Sequence, residues 1–133
     1  MNILNKHKSE LGVKNGRLSP LSRKPNCVST QAEAKSKQVP PLGYQKAVSD
    51  QMQRVIKTVE SMPGAKIKQC EGNYLYAVFT TKIMRFKDDV EIYLDEAEKK
   101  LHFRSASRLG YSDLGVNRKR YEQFVQLIQG ASS

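Results

Sequence analysis

The chain has 133 residues, which suits one domain, and an ordinary globular composition apart from a net charge of +10. More than half of that excess sits in residues 1–43, which carry +6, against +1 for 44–100 and +3 for 101–133. A basic tail of this kind disfavours a dedicated nucleic-acid surface, although charge alone invites polyanions. Cys27 and Cys70 lack C-x-x-C spacing, which excludes an obvious zinc or redox motif; neither a metal nor a cofactor is expected, and both thiols are expected reduced. No apolar run reaches membrane-spanning length and Met1 to Lys8 lacks a signal-like core, so the expected location is cytoplasmic.

Residues 1–43 hold Pro20, Pro25, Pro40 and Pro41 among scattered Lys, Ser and Asn, with no lasting helix or strand period. Residues 1–10 are expected to form a mobile basic tail and 11–43 an extended irregular cover, within a single domain spanning 11–130. A helix is expected at about 45–61, where Val48, Met52, Val55, Ile56 and Val59 share one face. Met62-Pro63-Gly64 stops it.

Four strands follow. Ala65 to Glu71 and Tyr74 to Ile83 flank Gly72-Asn73, a two-residue hairpin signal, with Leu75, Ala77, Phe79 and Ile83 on one face. Asp89 to Leu94 places Val90, Ile92 and Leu94 inward and Asp89, Glu91 and Tyr93 outward. Leu101 to Ser107 returns beside it. Matching Leu94 with Leu101 sets Ile92 against Phe103, Tyr93 against His102 and Glu91 against Arg104, joining like with like and opposite charges. A last helix at about 118–130 buries Tyr121, Phe124, Val125 and Ile128, with Asn117 as its N-cap. The expected fold is α+β: an antiparallel sheet of about four strands with an N-terminal and a C-terminal helix on one face, preceded by the irregular arm.

The stretch from Arg104 to Arg120 carries the chemistry. Ser105, Ser107 and Ser112 supply hydroxyls, and Gly110 and Gly115 permit close backbone approach. Asn117 opens a helix whose first N–H groups lack internal partners, and Arg104, Arg108, Arg118 and Arg120 offer bidentate forks for a phosphate or carboxylate. These eight residues form a candidate ligand site. No Walker loop is present. A second reading uses the same groups as a structural lock, with Glu91 on Arg104 and with Asp88, Asp89 and Asp113 neutralising Arg108 and Arg118. Both readings stand open at this level. Cys27 as a nucleophile and Asp88 or Asp89 as a general base are the catalytic candidates, each needing partners that spacing does not supply.

These residues resemble a bacterial and plastid family of domains of unknown function. The motifs are P-N-C-V-S at Pro25 to Ser29, F-x-D-D-V-E at Phe86 to Glu91, and R-S-A-S-R-x-G-x-S-D-x-G-x-N-R-x-R at Arg104 to Arg120. The leading L-G-V-x-x-G-R-L fits Leu11 to Leu18, so the likeness spans about 11 to 128. It implies that the arm is part of the fold and that Cys27 packs near the arginine loop; it implies no activity. The preferred expectation is a non-enzymatic domain that binds a small anion or an acidic protein segment at the arginine-rich loop. The alternatives are an enzyme acting on an anionic substrate through Cys27 or Asp88/Asp89, and weak nucleic-acid binding through the basic arm. Oligomeric state is left open by the sequence.

Overall fold

The computed structural model describes residues 11–130; the tail expected at 1–10 lies outside them. The arm supplies β1 (Val13–Lys14) and β2 (Arg17–Leu18), which pair with each other, then β3 (Cys27–Ser29), a 3-10 turn at Lys35–Lys37 and β4 (Leu42–Gly43). Helix α1 (Val48–Glu60) leads to β5 (Ala65–Glu71), β6 (Tyr74–Thr80), β7 (Lys87–Asp95), β8 (Lys100–Ser107) and helix α2 (Val116–Gly130). The main sheet is antiparallel in the order β3-β8-β7-β6-β5, and β4 pairs with the other end of β8. The class is α+β. The sheet has six strands rather than four, because the arm adds β3 and β4 to the outer edge of β8.

Local sequence explains the central elements. Gly72-Asn73 turns β5 into β6, and β-branched and aromatic residues fill β6 and β7. The β7–β8 register pairs Leu94 with Leu101, Tyr93 with His102, Ile92 with Phe103 and Glu91 with Arg104, as the alternation requires. One core cluster joins Met52, Val55 and Val59 of α1 and Tyr121, Phe124 and Ile128 of α2 with Leu75, Ala77, Phe79, Val90, Ile92, Leu94, Leu101 and Phe103. Helix α1 contacts β5, α2 contacts β8, and the helices contact each other. The Phe103 ring meets Tyr121 edge-on, with centroids 5.2 Å apart.

Three expectations are corrected here. Strand β6 ends at Thr80, so Ile83 is not a core residue: Thr81 accepts the Phe86 N–H on Oγ1 and the Arg85 N–H on its carbonyl, closing a tight loop that leaves Ile83 fully exposed. Asp89 and Glu91 do not face solvent. They share the sheet face opposite the apolar core and are buried there, because the arm covers it. Asn117 is not the N-cap of α2. Gly115 flanks the helix start, and the Asp113 carboxylate serves the first turn from outside it, accepting the Gly115 and Asn117 N–H groups on its two oxygens.

Gly64 joins α1 to β5 with φ +78°, and its carbonyl accepts the Thr80 N–H at 2.9 Å. An added Cβ would stand 2.3 Å from the Thr80 carbonyl oxygen, a backbone atom that cannot yield without moving β6. Gly64→Ala is expected to destabilise the fold by more than ~1 kcal/mol, read from the denaturant midpoint at unchanged m-value.

Candidate functional site

Strand β7 carries three buried carboxylates, Asp88, Asp89 and Glu91. Successive strand residues point to opposite faces, so Asp88 lies on the core side while Asp89 and Glu91 lie beneath the arm. Each lies against an arginine from the chain that follows: Asp88 with Arg120, Asp89 with Arg108 and Glu91 with Arg104. The four arginines of the C-terminal motif therefore do not converge on one loop. They divide between the two sides of the sheet.

On the core side, Arg120 reaches down from the first turn of α2. Its Nη2 is 2.8 Å from Asp88 Oδ2, a contact of charge rather than an aligned hydrogen bond, while Asp88 Oδ1 has no hydrogen-bond partner among the described residues. Arg120 Nη1 donates to Asn117 Oδ1 at 2.9 Å and to Ser105 Oγ at 3.2 Å, and its guanidinium lies 4.8 Å from the Phe79 ring centroid. Asn117, fully buried, donates through Nδ2 to Asn26 O, Ser107 Oγ and Asp113 Oδ2. Asp113 thus serves Asn117 and the α2 N-terminus; the expectation that it neutralises Arg108 or Arg118 is not met. Burial and mutual pairing make this half a packing network.

Beneath the arm, Glu91 accepts the Gly12 N–H at 2.7 Å and the Tyr74 hydroxyl at 2.6 Å, with Arg104 Nη1 at 3.4 Å. Arg104 also donates to the carbonyls of Ser19 and Pro20. Asp89 accepts Arg108 Nε and Nη2 and the Tyr76 hydroxyl at 2.6 Å. Burial first, and then these carboxylate bonds, raise both phenols: Tyr74 goes well above its ordinary value and Tyr76 is pushed up to about 12. Both remain protonated donors. Arg108 keeps about a quarter of its side chain exposed, and its Nη1 makes no hydrogen bond among the described residues.

Between the arm and this sheet face lies a cleft of about 730 Å³. Among the described residues its charged lining is Lys14, Arg17, Lys24, Arg104 and Arg108, with no carboxylate. Ser19, Ser22, Asn26 and Ser107 line it as well, the Ser107 hydroxyl being turned away to Asn117. Of the eight expected ligand residues, the cleft brings together the side chains of Arg104 and Arg108; Ser107 borders it, but its hydroxyl accepts the Asn117 amide. Ser105, Asn117 and Arg120 are buried on the core side. Ser112 accepts the Leu114 N–H in a turn, and Arg118 donates to the carbonyls of Ser36 and Gln38. Sequence reading missed Lys14, Arg17 and Lys24, whose signal was only the arm's excess charge.

The structure sets the catalytic candidates apart from one another. Cys27 is buried, pairs with Ala106, and has its Sγ near Ser22 Oγ (3.8 Å) and Lys24 O (3.6 Å). His102 lies four residues back along β8, roughly 13 Å away at strand rise, and its Nδ1 is bonded to Thr30 Oγ1 at 2.9 Å. Asp88 and Asp89 are buried behind guanidinium groups. Cys27 and Cys70 are both free thiols. At the β7–β8 turn, Asp95, Glu98 and His102 each place one donor atom within 4.8 Å of the others, a trio that sequence reading did not single out.

A family model matches residues 17–128, from β2 through the buried face of α2. The chain belongs to the family described as protein of unknown function DUF1499. That match covers β3, β7, β8 and the arginines of both half-sites, so the ion-pair framework lies wholly inside the DUF1499 domain. No curated protein matches the chain. No described helix of this DUF1499 protein is long and apolar enough to cross a membrane.

Removing one partner of a buried pair leaves an uncompensated charge. Glu91→Ala is therefore expected to cost about 3–5 kcal/mol, whereas Arg118→Ala, at the surface, should stay within about 0.5 kcal/mol; urea unfolding of both variants checks the contrast. A second test uses His102. Burial lowers its pKa, against the opposing pull of Asp95 and Glu98 and with a small push from Lys100 and Arg17. The unfolded chain then binds the proton first, so the stability from a neutral His102 is complete above the ordinary value and declines as pH falls below about 6.5. His102→Gln should flatten that part of the stability–pH curve.

Proposed function

We propose that this is a non-enzymatic domain that binds a small anion, or an acidic segment of a partner protein, in the basic cleft between arm and sheet. The observation that carries this reading is the lining: among the described residues, five cationic side chains and no carboxylate. Glu91 and Asp89, behind the floor, offset two of the five charges. Three remain, from Lys14, Arg17 and Lys24, all on exposed side chains. Arg108 adds a free Nη1 edge suited to a phosphate or carboxylate oxygen. On this reading residues 11–130 act as one unit, with two helices covering one sheet face and the arm forming a wall of the cleft on the other. Arg104 is the post to which that wall is tied.

The lock and the ligand site are then neighbours, not rivals. Arg104 and Arg120 hold the structure, and the arm lysines with Arg17 and Arg108 meet the ligand. The enzyme alternative gains no support: among the described residues Cys27 meets Ser22 and the Lys24 carbonyl, and Asp88 and Asp89 lie against Arg120 and Arg108.

The test is a melting-temperature series with inorganic phosphate, pyrophosphate, citrate and a short Glu-rich peptide. At a hundredfold excess over Kd a single site stabilises by about 2.7 kcal/mol. At least one of these anions should raise the melting temperature of wild type, and Arg17→Glu with Lys24→Glu should abolish the shift while changing the baseline by less than about 1 kcal/mol. If no anion shifts wild type, or the double variant keeps the full shift, the cleft is not an anion site.

A further inference from the structure

Two loops meet at one end of the sheet. Residues 81–86 join β6 to β7, and 108–115 join β8 to α2; together they line one apolar cleft of about 340 Å³. Seven large hydrophobic side chains are exposed among the described residues, and six of them stand here: Ile83, Met84, Phe86, Leu109, Tyr111 and Leu114. Scattered single exposures are normal, but this is a cluster, and clusters mark interaction surfaces. Ile83 and Leu114 are each 87% exposed, so they contribute nothing to the core.

The loops are built, not slack. The first is closed by hydrogen bonds from Phe86 N–H to Thr81 Oγ1 at 2.8 Å and from Arg85 N–H to Thr81 O at 3.1 Å. The second is pinned to the arm by Asp113 N–H on Pro25 O and Asn26 Nδ2 on Gly110 O. Leu114 sits at φ +54°, a left-handed conformation that aliphatic residues rarely adopt, held by its N–H on Ser112 Oγ. A large apolar side chain in a strained backbone, buried against nothing, is a local conflict that the isolated fold does not require.

Charge identifies the occupant. Lys82 and Arg85 are exposed between the apolar residues of the first loop, Lys87 just past it donates to Thr80 Oγ1, Lys119 is exposed just past the second, and Asp88 in the cleft lining is paired with Arg120. The one carboxylate of the second loop, Asp113, is engaged by Gly115 and Asn117. Apolar side chains carried on tips and flanked by exposed cations suit the boundary of an anionic bilayer, where hydrocarbon takes the tips and lipid phosphates meet the lysines and arginine. Tyr111 has the amphipathic ring favoured at that depth. We propose that the DUF1499 domain docks by these two loops on a membrane surface bearing anionic lipid. This contact is separate from the basic cleft and does not depend on it.

The chain contains no tryptophan, so Leu114→Trp gives a reporter without background. Full-length protein carrying it should co-sediment with phosphatidylcholine/phosphatidylglycerol vesicles, more weakly with phosphatidylcholine alone. Its emission should shift to the blue and be quenched by brominated acyl chains. Ile83→Ser with Leu114→Ser should lower partitioning by about tenfold or more while leaving the melting temperature, and any phosphate-induced shift of it, as in wild type. Absence of vesicle binding, vesicle binding without a blue shift or quenching, or equal binding by the double-serine variant would each overturn the proposal. A blue shift that appears with protein concentration and no vesicles would assign the patch to a second copy of the chain, and would overturn it too.

Discussion

The structure depends on three acid–base contacts made by a single strand. Asp88, Asp89 and Glu91 of β7 are buried, and each is matched by an arginine that arrives later in the chain. A carboxylate in that position without its partner is strongly unfavourable. The pairs therefore constrain everything around them. Arg120 fixes how α2 meets the sheet. Arg104 draws the arm across the opposite face through Ser19 and Pro20. Arg108 stands where the arm's cover opens.

Adjacent residues on β7 thus have different partners and different surroundings. Asp88 lies on the core side against Arg120, which itself bonds Ser105 and Asn117, while Asn117 bonds Ser107. Asp89 sits beneath a tyrosine hydroxyl and a partly exposed guanidinium. The even–odd alternation of a strand converts a two-residue acidic motif into one structural contact and one contact at a cleft.

Much of this was legible in the residues. Alternation along Asp89 to Leu94 gave the β7–β8 register to the residue, because a one-step slip would bury charges against the core. The helix stripes and the Gly72-Asn73 turn were equally local signals. What escaped detection was non-local. Cys27–Ser29 is only three residues long and pairs with a partner more than seventy positions later, so no periodicity announces it. Asp89 and Glu91 looked outward because the arm that covers them reads as irregular. Asn117 looked like a cap, but Asp113, four residues earlier, serves the first turn instead. Ile83 extended a period-two pattern past the point where Thr81 turns the chain. The arginine motif was read as either a lock on carboxylates or a ligand site, and spacing alone did not reveal that its members fall on both sides of a sheet.

The joining of β3 to β8 has a consequence for how the molecule comes into being. Within the domain the arm precedes β8 in the chain, so Cys27, Val28 and Ser29 have no docking edge until residues 104–106 have been made. Closing so long a span is entropically demanding. The strand made early must wait for the partner made late.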